Sequence, residues 1–310
     1  MLNAIMSNHS SALKILVCYH KPYTLPPLDD GIMLPIQGGK SISDEDLHMQ
    51  GDNEINGNPC DNISFKNKSY SEMTIVYWAW KNLKKLYPDV KYIGLCHYRR
   101  FFAFNDGRLF ITDMEASSSS IKDYIADARK VSKILESGRV IFAKRMIFPL
   151  SLCAQYSISH YRRDYDILRE VIKEKFPDYY NAFVYVMEKN NKFIPYNMFI
   201  MKYDDFEKYC EWSFAVMDEI EKQIDYSNYP PYQKRVFGFI AERLMNIYTV
   251  KNKLKPKYLN VYFYDNDNNN KVEHIGFLQR MLRCLQRGIN YLKQERIFML
   301  SKAKKLNSHA

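Results

Sequence analysis

A histidine, a tyrosine and two arginines follow an apolar segment in the stretch VKYIGLCHYRRFF, residues 90–102. The apolar part has the composition of a buried β-strand, so His97, Tyr98, Arg99 and Arg100 fall where a strand gives way to a loop. Arginine binds phosphate oxygens through paired, charge-assisted hydrogen bonds. The pattern therefore predicts an anion site, and a diphosphate is the natural guest. The alternative is a structural role, in which the two arginines pair with nearby acidic side chains.

A second polar cluster, Tyr19, His20 and Lys21, follows the apolar segment LKILVCYH. A helical segment over about residues 70–86 separates the two predicted strands, and this order with short connections is typical of a parallel sheet. Parallel strands place their carboxyl ends at one edge, where open α/β sheets bind ligands. We therefore predict an α/β, Rossmann-type fold with a mostly parallel sheet flanked by helices, and both clusters at one edge.

A polar loop lies just before that predicted helix. Its side chains could hydrogen-bond a ribose or sugar hydroxyls, and the start of a helix favours phosphate. The alternative is turn chemistry, because Asn and Asp stabilise loops by themselves. The residues of this loop that we predict to contact a nucleotide-containing ligand are Asp61, Asn62, Lys66 and Asn67.

Glu242, in the helical segment GFIAERL, is our first candidate for a general base. Gly238 lies one helical turn earlier on the same face and permits close approach of a substrate. The alternative is a salt bridge within or between helices, with Arg243 or Arg235 as the partner. Two further carboxylates could act as the base, namely Asp164 and Glu72.

Three further polar residues are candidates for contacts with a ligand. Tyr156 and His160 are four residues apart and share one face of a helix predicted over residues 151–176. A single histidine in such a place can equally be structural. Asn197 is the first residue of a strand that is predicted to end at Lys202, and its side-chain amide could hydrogen-bond a ligand.

Signatures of common cofactors and metals are missing from the sequence. The GGKS stretch at residues 38–41 lacks the first glycine of a phosphate-binding P-loop, and there is no GxGxxG, HExxH or GxSxG. The six cysteines have no paired spacing, so we expect a reducing compartment and no zinc site. We predict no cofactor and no metal, although Mg²⁺ or Mn²⁺ stays open. The acidic groups that could still bind one are Asp29-Asp30, Asp204-Asp205 (more typical of a helix cap) and Asp265-Asn266-Asp267.

The charge of the chain is concentrated at its end. The 310 residues carry a net charge of +10, and residues 271–310 contain nine Lys or Arg against two acids. Apolar residues recur there at helical spacing, which predicts a basic amphipathic helix. Such a helix could pack on the core, lie on an anionic membrane surface or bind nucleic acid. With no signal peptide and no apolar run of 18 residues, we expect a cytoplasmic protein on the inner face of the cell membrane.

Several of these segments together resemble the DUF4422 family, which occurs among proteins of capsule, exopolysaccharide and lipopolysaccharide O-antigen biosynthesis. The resemblance runs from Lys14 to about Val250. The segments that carry it are DNISFKNKSYSEMTIVYWAWKN, YIGLCHYRRFF, QYSISHYRRDYDILREVI, NMFIMKYDDFEKYCEWSF and RVFGFIAERLMNIY. The combination is specific, whereas each segment alone is weak. It implies a GT-A-like glycosyltransferase domain over residues 13–265, followed by the basic helical tail over residues 271–310.

The resemblance implies transfer of a hexose from a nucleotide sugar to a lipid-linked oligosaccharide. We expect the donor to be a UDP-sugar, such as UDP-galactofuranose or another UDP-hexose. We expect Tyr156, His160 and Asn197 to contact the acceptor. Many GT-A enzymes hold a divalent cation with a DxD motif after a central strand. Here that place holds His97, Tyr98, Arg99 and Arg100, so we expect fixed cationic donors to stabilise the leaving diphosphate instead. The rival hypothesis is a non-catalytic protein of transferase fold that binds a glycan or a nucleic acid.

Overall fold

The computed structural model describes residues 12–23, 31–104 and 128–263, and its largest element there is a nine-stranded sheet. Two ribbons of two strands each accompany this sheet. The strands in chain order are β1 (Leu13–Tyr19), β2 (Met33–Gln37), β3 (Gln50–Gly51), β4 (Glu54–Ile55), β5 (Asn58–Pro59), β6 (Tyr92–His97), β7 (Arg100–Phe102), β8 (Arg139–Ala143), β9 (Met146–Ile147), β10 (Lys192–Phe193), β11 (Phe199–Lys202), β12 (Lys255–Leu259) and β13 (Val261–Phe263).

The main path of the sheet runs β12-β8-β11-β6-β1-β2-β3, with β7 and β13 attached beside β6. Every pair on the path is parallel except for β11, which runs antiparallel to both of its neighbours, β6 and β8. The carboxyl ends of β1, β6 and β8 therefore meet at one edge, together with the amino end of β11. The predicted mostly parallel α/β sheet is confirmed.

Helices cover both faces of the sheet. The alternation of side chains along β1 shows this directly, because Leu16 and Cys18 belong to one buried cluster and Ile15 and Val17 to the other. Helix α3 (Ala128–Glu136) packs on the face with Ile15 and Val17, and most of the other helices pack on the face with Leu16 and Cys18. The helices are α1 (Asn67–Tyr70), α2 (Met73–Leu86), α3 (Ala128–Glu136), α4 (Leu152–Ser159), α5 (Arg162–Lys175), α6 (Pro177–Glu188), α7 (Tyr203–Glu221) and α8 (Val236–Lys251).

The helix predicted over residues 151–176 is two helices in the structure. Ser151 caps α4 by accepting a hydrogen bond from the Ala154 amide at 3.3 Å. The chain then becomes extended at His160 and Tyr161 before α5 begins. A pattern of apolar residues alone cannot show such a break, because both halves keep their apolar faces toward one core.

Two further boundaries differ from prediction near the edge described above. The helix expected to start at Tyr70 starts at Met73 as α2, and neither Ser69 nor Ser71 caps it. The strand expected from Asn197 starts at Phe199, because the backbone at 196 and 197 is left-handed. Asp204 and Asp205 lie in the first turn of α7 rather than at its cap.

The basic segment 271–310 lies outside the described residues. Among the helices that are described, none is long and apolar enough to cross a bilayer.

Candidate active site

The two polar clusters predicted from the sequence lie side by side. In the register of β1 and β6, Cys18 is opposite His97, and the Tyr98 amide donates to the Cys18 carbonyl at 3.0 Å. Tyr19 and His20 therefore emerge next to the turn that links His97 to Arg100. The parallel pairing of two buried strands is what brings these residues together from distant parts of the sequence.

Aromatic rings form the floor of this edge. The ring of Tyr98 is buried and lies 5.7 Å from Tyr19, 5.2 Å from His20 and 5.0 Å from Tyr23, measured between centroids. The Arg99 guanidinium lies 5.1 Å from the Tyr98 ring. His20 and Lys21 are exposed at the rim, whereas Tyr19 is buried beneath it. A flat ligand group could thus meet His20 and Arg99, but Tyr19 can only support the floor.

Arg99 and Arg100 point to different sides of the turn. Arg100 starts β7 directly opposite His97, and its guanidinium lies 4.9 Å from the ring of Tyr196. Arg99 lies instead on the ring of Tyr98. Both side chains are half-buried. The two guanidinium groups therefore lie against different aromatic rings next to His97.

His97 is held in one orientation by the backbone. Its Nε2 lies 2.7 Å from the Tyr196 carbonyl oxygen, so Nε2 must carry a proton and donate it. Burial lowers the pKa of His97, although the Glu72 charge opposes that effect. The neutral ring then has a lone pair on Nδ1, which accepts no hydrogen bond among the described residues. His97 is therefore not one of the fixed cations that the sequence suggested.

Strained backbone surrounds this histidine. Ser71, Tyr196 and Asn197 have φ angles of 51°, 75° and 54°, a region that residues other than glycine seldom adopt. Such conformations persist only where their surroundings enforce them, and they are frequent at active sites. Here the conformation of Asn197 is stabilised by two hydrogen bonds that its Nδ2 donates. One goes to a Glu72 carboxylate oxygen at 2.7 Å and the other to the Gly238 carbonyl at 3.3 Å.

Glu72 is a functional candidate that the sequence offered only as an alternative to Glu242. It precedes α2 and is half-buried, and one of its oxygens accepts the bond from Asn197. Its other oxygen accepts no hydrogen bond from any described residue. No local sequence pattern could indicate its role, because that role depends on the contact with Asn197, which lies 125 positions away in the sequence.

Glu242 is more completely engaged than Glu72. One oxygen accepts the Tyr196 amide at 2.8 Å, and the other accepts from Arg243 at 2.9 Å. Burial raises the pKa of Glu242, and the Arg243 charge opposes that rise. The structure thus contains the ion pair that was our alternative for Glu242. Asp164, the third carboxylate, is buried in the helical layer and accepts from the Tyr229 hydroxyl at 2.6 Å.

The side chains of the polar loop before α2 are engaged mostly in contacts that stabilise the fold. Asn62 accepts from the Ser64 amide in a turn, and Lys66 pairs with Glu221 at 2.6 Å. Asn67 donates to Ser71 and Thr74, and Asp61 accepts from Tyr77 at 3.2 Å. The Asn62 bond is the turn chemistry that was our alternative, and the bonds of Lys66 and Asp61 are tertiary contacts. The predicted donor contacts of this loop gain no support from them.

The GGKS stretch is likewise occupied. Buried Asp52 accepts from the amides of Gly39 at 2.8 Å and Lys40 at 3.2 Å and from the Ser64 hydroxyl at 2.5 Å. A carboxylate of the chain itself thus takes the place of a phosphate in this turn.

Tyr156 and His160, the candidate acceptor contacts, lie inside the helical layer. Both are buried, and the His160 ring stacks on Phe239 at 4.0 Å while its Nδ1 donates to Gln233 at 3.1 Å. Burial lowers the pKa of His160 to about 3. An acceptor could contact neither residue without a rearrangement of the helices. Asn197 is buried as well, but it lies at the site edge, where it bonds to Glu72.

No group of three or more metal-ligating side chains occurs within residues 12–23, 31–104 and 128–263. The pairs Asp29-Asp30 and Asp265-Asp267 lie outside these ranges.

Comparison with known proteins identifies the family of this chain. The chain belongs to the DUF4422 family. The model of that family, described as a domain of unknown function, matches residues 14–253. No curated protein matches the chain.

Among solved structures, the chain is similar to the apo structure of WbbM, a bifunctional glycosyltransferase. The two share 29% sequence identity with a TM-score of 0.68 over 82% of this chain. The match spans 46% of the WbbM chain, so this DUF4422 protein corresponds to less than half of it. The similarity confirms the predicted GT-A-like fold.

Proposed function

We propose that this DUF4422 protein is a glycosyltransferase that moves a hexose from a nucleotide sugar to a saccharide acceptor. The observation that carries the proposal is the cluster at the carboxyl edge of the sheet, where Arg99 and Arg100 lie next to His97 and where Glu72, which follows the strained backbone of Ser71, bonds to Asn197. The 29% identity with a bifunctional glycosyltransferase supports the same reaction class.

The donor occupies the β1–β6 side of the cluster in this proposal. Arg99 and Arg100 bind the diphosphate, with Lys21 and His20 at the rim. Charge that develops on the leaving diphosphate is then stabilised by fixed guanidinium groups, and hydrogen bonds to charged groups are among the strongest that proteins make. We expect a UDP-sugar, with UDP-galactofuranose or another UDP-hexose as the first donors to test.

Glu72 acts as the general base in this scheme, in place of Glu242. The acceptor hydroxyl gives its proton to the Glu72 oxygen that no described residue contacts, and its oxygen attacks the anomeric carbon. The bond from that carbon to the diphosphate breaks, and its electron pair goes to the phosphate oxygen. Asn197 positions the carboxylate through its 2.7 Å bond, and Glu242 positions Tyr196 beneath it.

The acceptor and the pathway rest on the family resemblance. We propose a lipid-linked oligosaccharide that is extended during synthesis of a capsule, an exopolysaccharide or an O-antigen, at the cytoplasmic face of the membrane. The basic segment 271–310 would add affinity for that surface.

A comparison of two carboxamide variants tests the assignment of the base. A positioned base contributes about 10²- to 10⁴-fold to turnover, so we expect Glu72→Gln to lower kcat by at least about 100-fold while UDP affinity is unchanged. Glu242→Gln should retain more activity and instead lower the midpoint of thermal unfolding, because it leaves Arg243 unpaired in the interior.

Release of UDP from a panel of UDP-hexoses with an oligosaccharide acceptor provides the readout, and isothermal calorimetry provides the affinity. Equal losses of kcat in the two variants would contradict the assignment of Glu72. A wild-type protein that binds no nucleotide but retains polyanions would favour the non-catalytic alternative.

A further inference from the structure

An exposed apolar patch lies on the ribbon formed by β9 and β10. Ile147 is 68% exposed, Leu150 51% and Met146 38%, although all three are large aliphatic side chains. In the register of the ribbon, Ile147 is opposite Lys192 and shares its outer face, whereas Met146 is opposite Phe193, which is buried against Phe148. Exposed apolar side chains in a group, rather than singly, commonly mark an interaction surface.

The two segments that form and flank the ribbon carry only positive charge. Residues 143–150 and 189–198 contain four basic residues and no acidic one. All four of these side chains are exposed. They are Lys144, Arg145, Lys189 and Lys192.

Exposed apolar side chains with cations beside them in the sequence suit the interface of an anionic bilayer. The aliphatic groups enter the boundary between headgroups and acyl chains, and the cations contact lipid phosphates. We propose that the β9–β10 ribbon docks on a membrane surface that contains anionic phospholipid. The charge around the patch favours this occupant over a second copy of the chain, which would bring positive charge against positive charge.

The position of the ribbon connects this surface to the candidate active site. β9 follows the carboxyl end of β8, at the same sheet edge as His97. β10 leads within three residues to Tyr196, and Asn246 fixes that connection by bonds to the Ile194 amide and carbonyl at 2.9 and 3.0 Å. Docking therefore holds the site edge close to the lipid surface, where a lipid-linked acceptor would be presented. This last step rests on the proposed function, whereas the docking itself does not.

Flotation with phospholipid vesicles tests the docking in the full chain. The variant carries Met146→Ser, Ile147→Ser and Leu150→Ser, and its matched control replaces three equally exposed apolar residues elsewhere: Ile42→Ser, Phe65→Ser and Val250→Ser. With phosphatidylcholine vesicles containing phosphatidylglycerol, we expect the ribbon variant to lose at least about tenfold in partition coefficient and the control to match wild type. Lys189→Gln with Lys192→Gln should lose about fivefold per charge, and only with the anionic vesicles.

Segment 271–310 is present in every one of these proteins, so a difference between them reports on the ribbon. Equal binding by wild type and the ribbon variant would overturn the proposal, as would a wild type that binds no vesicle. UDP-hexose turnover with a water-soluble acceptor separates docking from catalysis, because the ribbon variant should retain it. Vesicle binding that depends on the ribbon in a protein without turnover would leave the docking intact and contradict the proposed function.

Discussion

The two carboxylates that hold the Tyr196–Asn197 segment differ in the number of donors that they accept. Glu242 accepts two strong hydrogen bonds, whereas Glu72 accepts one and keeps a free oxygen among the described residues. From the sequence, Glu242 was the better candidate for a base, because a glycine one turn earlier suggested open space. In the structure that space is filled, since Gly238 packs against Ser71. Which carboxylate remains available depends on contacts that span up to 125 positions, so spacing alone could not predict it.

Loss of one arginine at a time tests the proposed diphosphate site at this scale. A hydrogen bond to a charged group is worth about 1.5–3 kcal/mol, so Arg99→Gln and Arg100→Gln should each weaken UDP binding by about 10- to 100-fold. Arg139→Gln is the matched control, because Arg139 is exposed at the other end of the sheet, at the start of β8. Isothermal calorimetry measures the dissociation constants. An affinity equal to that of the control in either variant would exclude that arginine from the site.

At the scale of elements, the sequence predicted the strands and the helices better than their ends. The apolar runs of β1 and β6 indicated two strands that are buried on both faces, and the helical segment between them predicted a parallel pair. Boundaries at Ser71 and Asn197 were missed, since left-handed backbone at these residues depends on tertiary contacts. The break at His160 was missed for a similar reason. Its ring stays buried between helices and continues the apolar pattern.

His160 provides a test of that break through the pH dependence of stability. Its pKa is lowered to about 3 in the folded protein, against about 6.5 in an unfolded chain, so only the unfolded chain takes up a proton between these values. The free energy of unfolding should therefore fall as the pH drops below about 6.5, by about 2 kcal/mol at about pH 5. This loss should be absent in His160→Phe.

Urea denaturation of wild type and His160→Phe, at neutral pH and at about pH 5, measures this effect. The variant also loses the bond to Gln233, but that loss is the same at both pH values and cancels in the comparison. Exposed His48, changed to Asn, is the control and should follow wild type. Parallel pH profiles for wild type and His160→Phe would show that the pKa of His160 is not lowered in the folded protein.

For the molecule as a whole, the reversed strand β11 is the feature that assembles the site. Because β11 runs antiparallel between β6 and β8, the chain reaches its amino end at the edge where β6 and β8 finish. Segment 194–198 therefore crosses the carboxyl edge and brings Asn197 to Glu72 and the Tyr196 carbonyl to His97. An all-parallel sheet would have placed this segment at the other edge. The same reversal places the β9–β10 ribbon beside the site.

A nucleotide that binds across this edge contacts residues from distant parts of the chain, so it should stabilise the whole fold. Ligand at 100 times its dissociation constant adds about 2.7 kcal/mol to the free energy of unfolding, which a thermal melt with UDP can detect. If guanidinium groups rather than a divalent cation hold the diphosphate, EDTA should leave both this stabilisation and the turnover of the UDP-hexose unchanged. AMP, which lacks a diphosphate, is the control ligand and should stabilise the protein less. A shift in melting temperature that EDTA removes and Mg²⁺ or Mn²⁺ restores would instead require a metal, and the arginines would then have a supporting role.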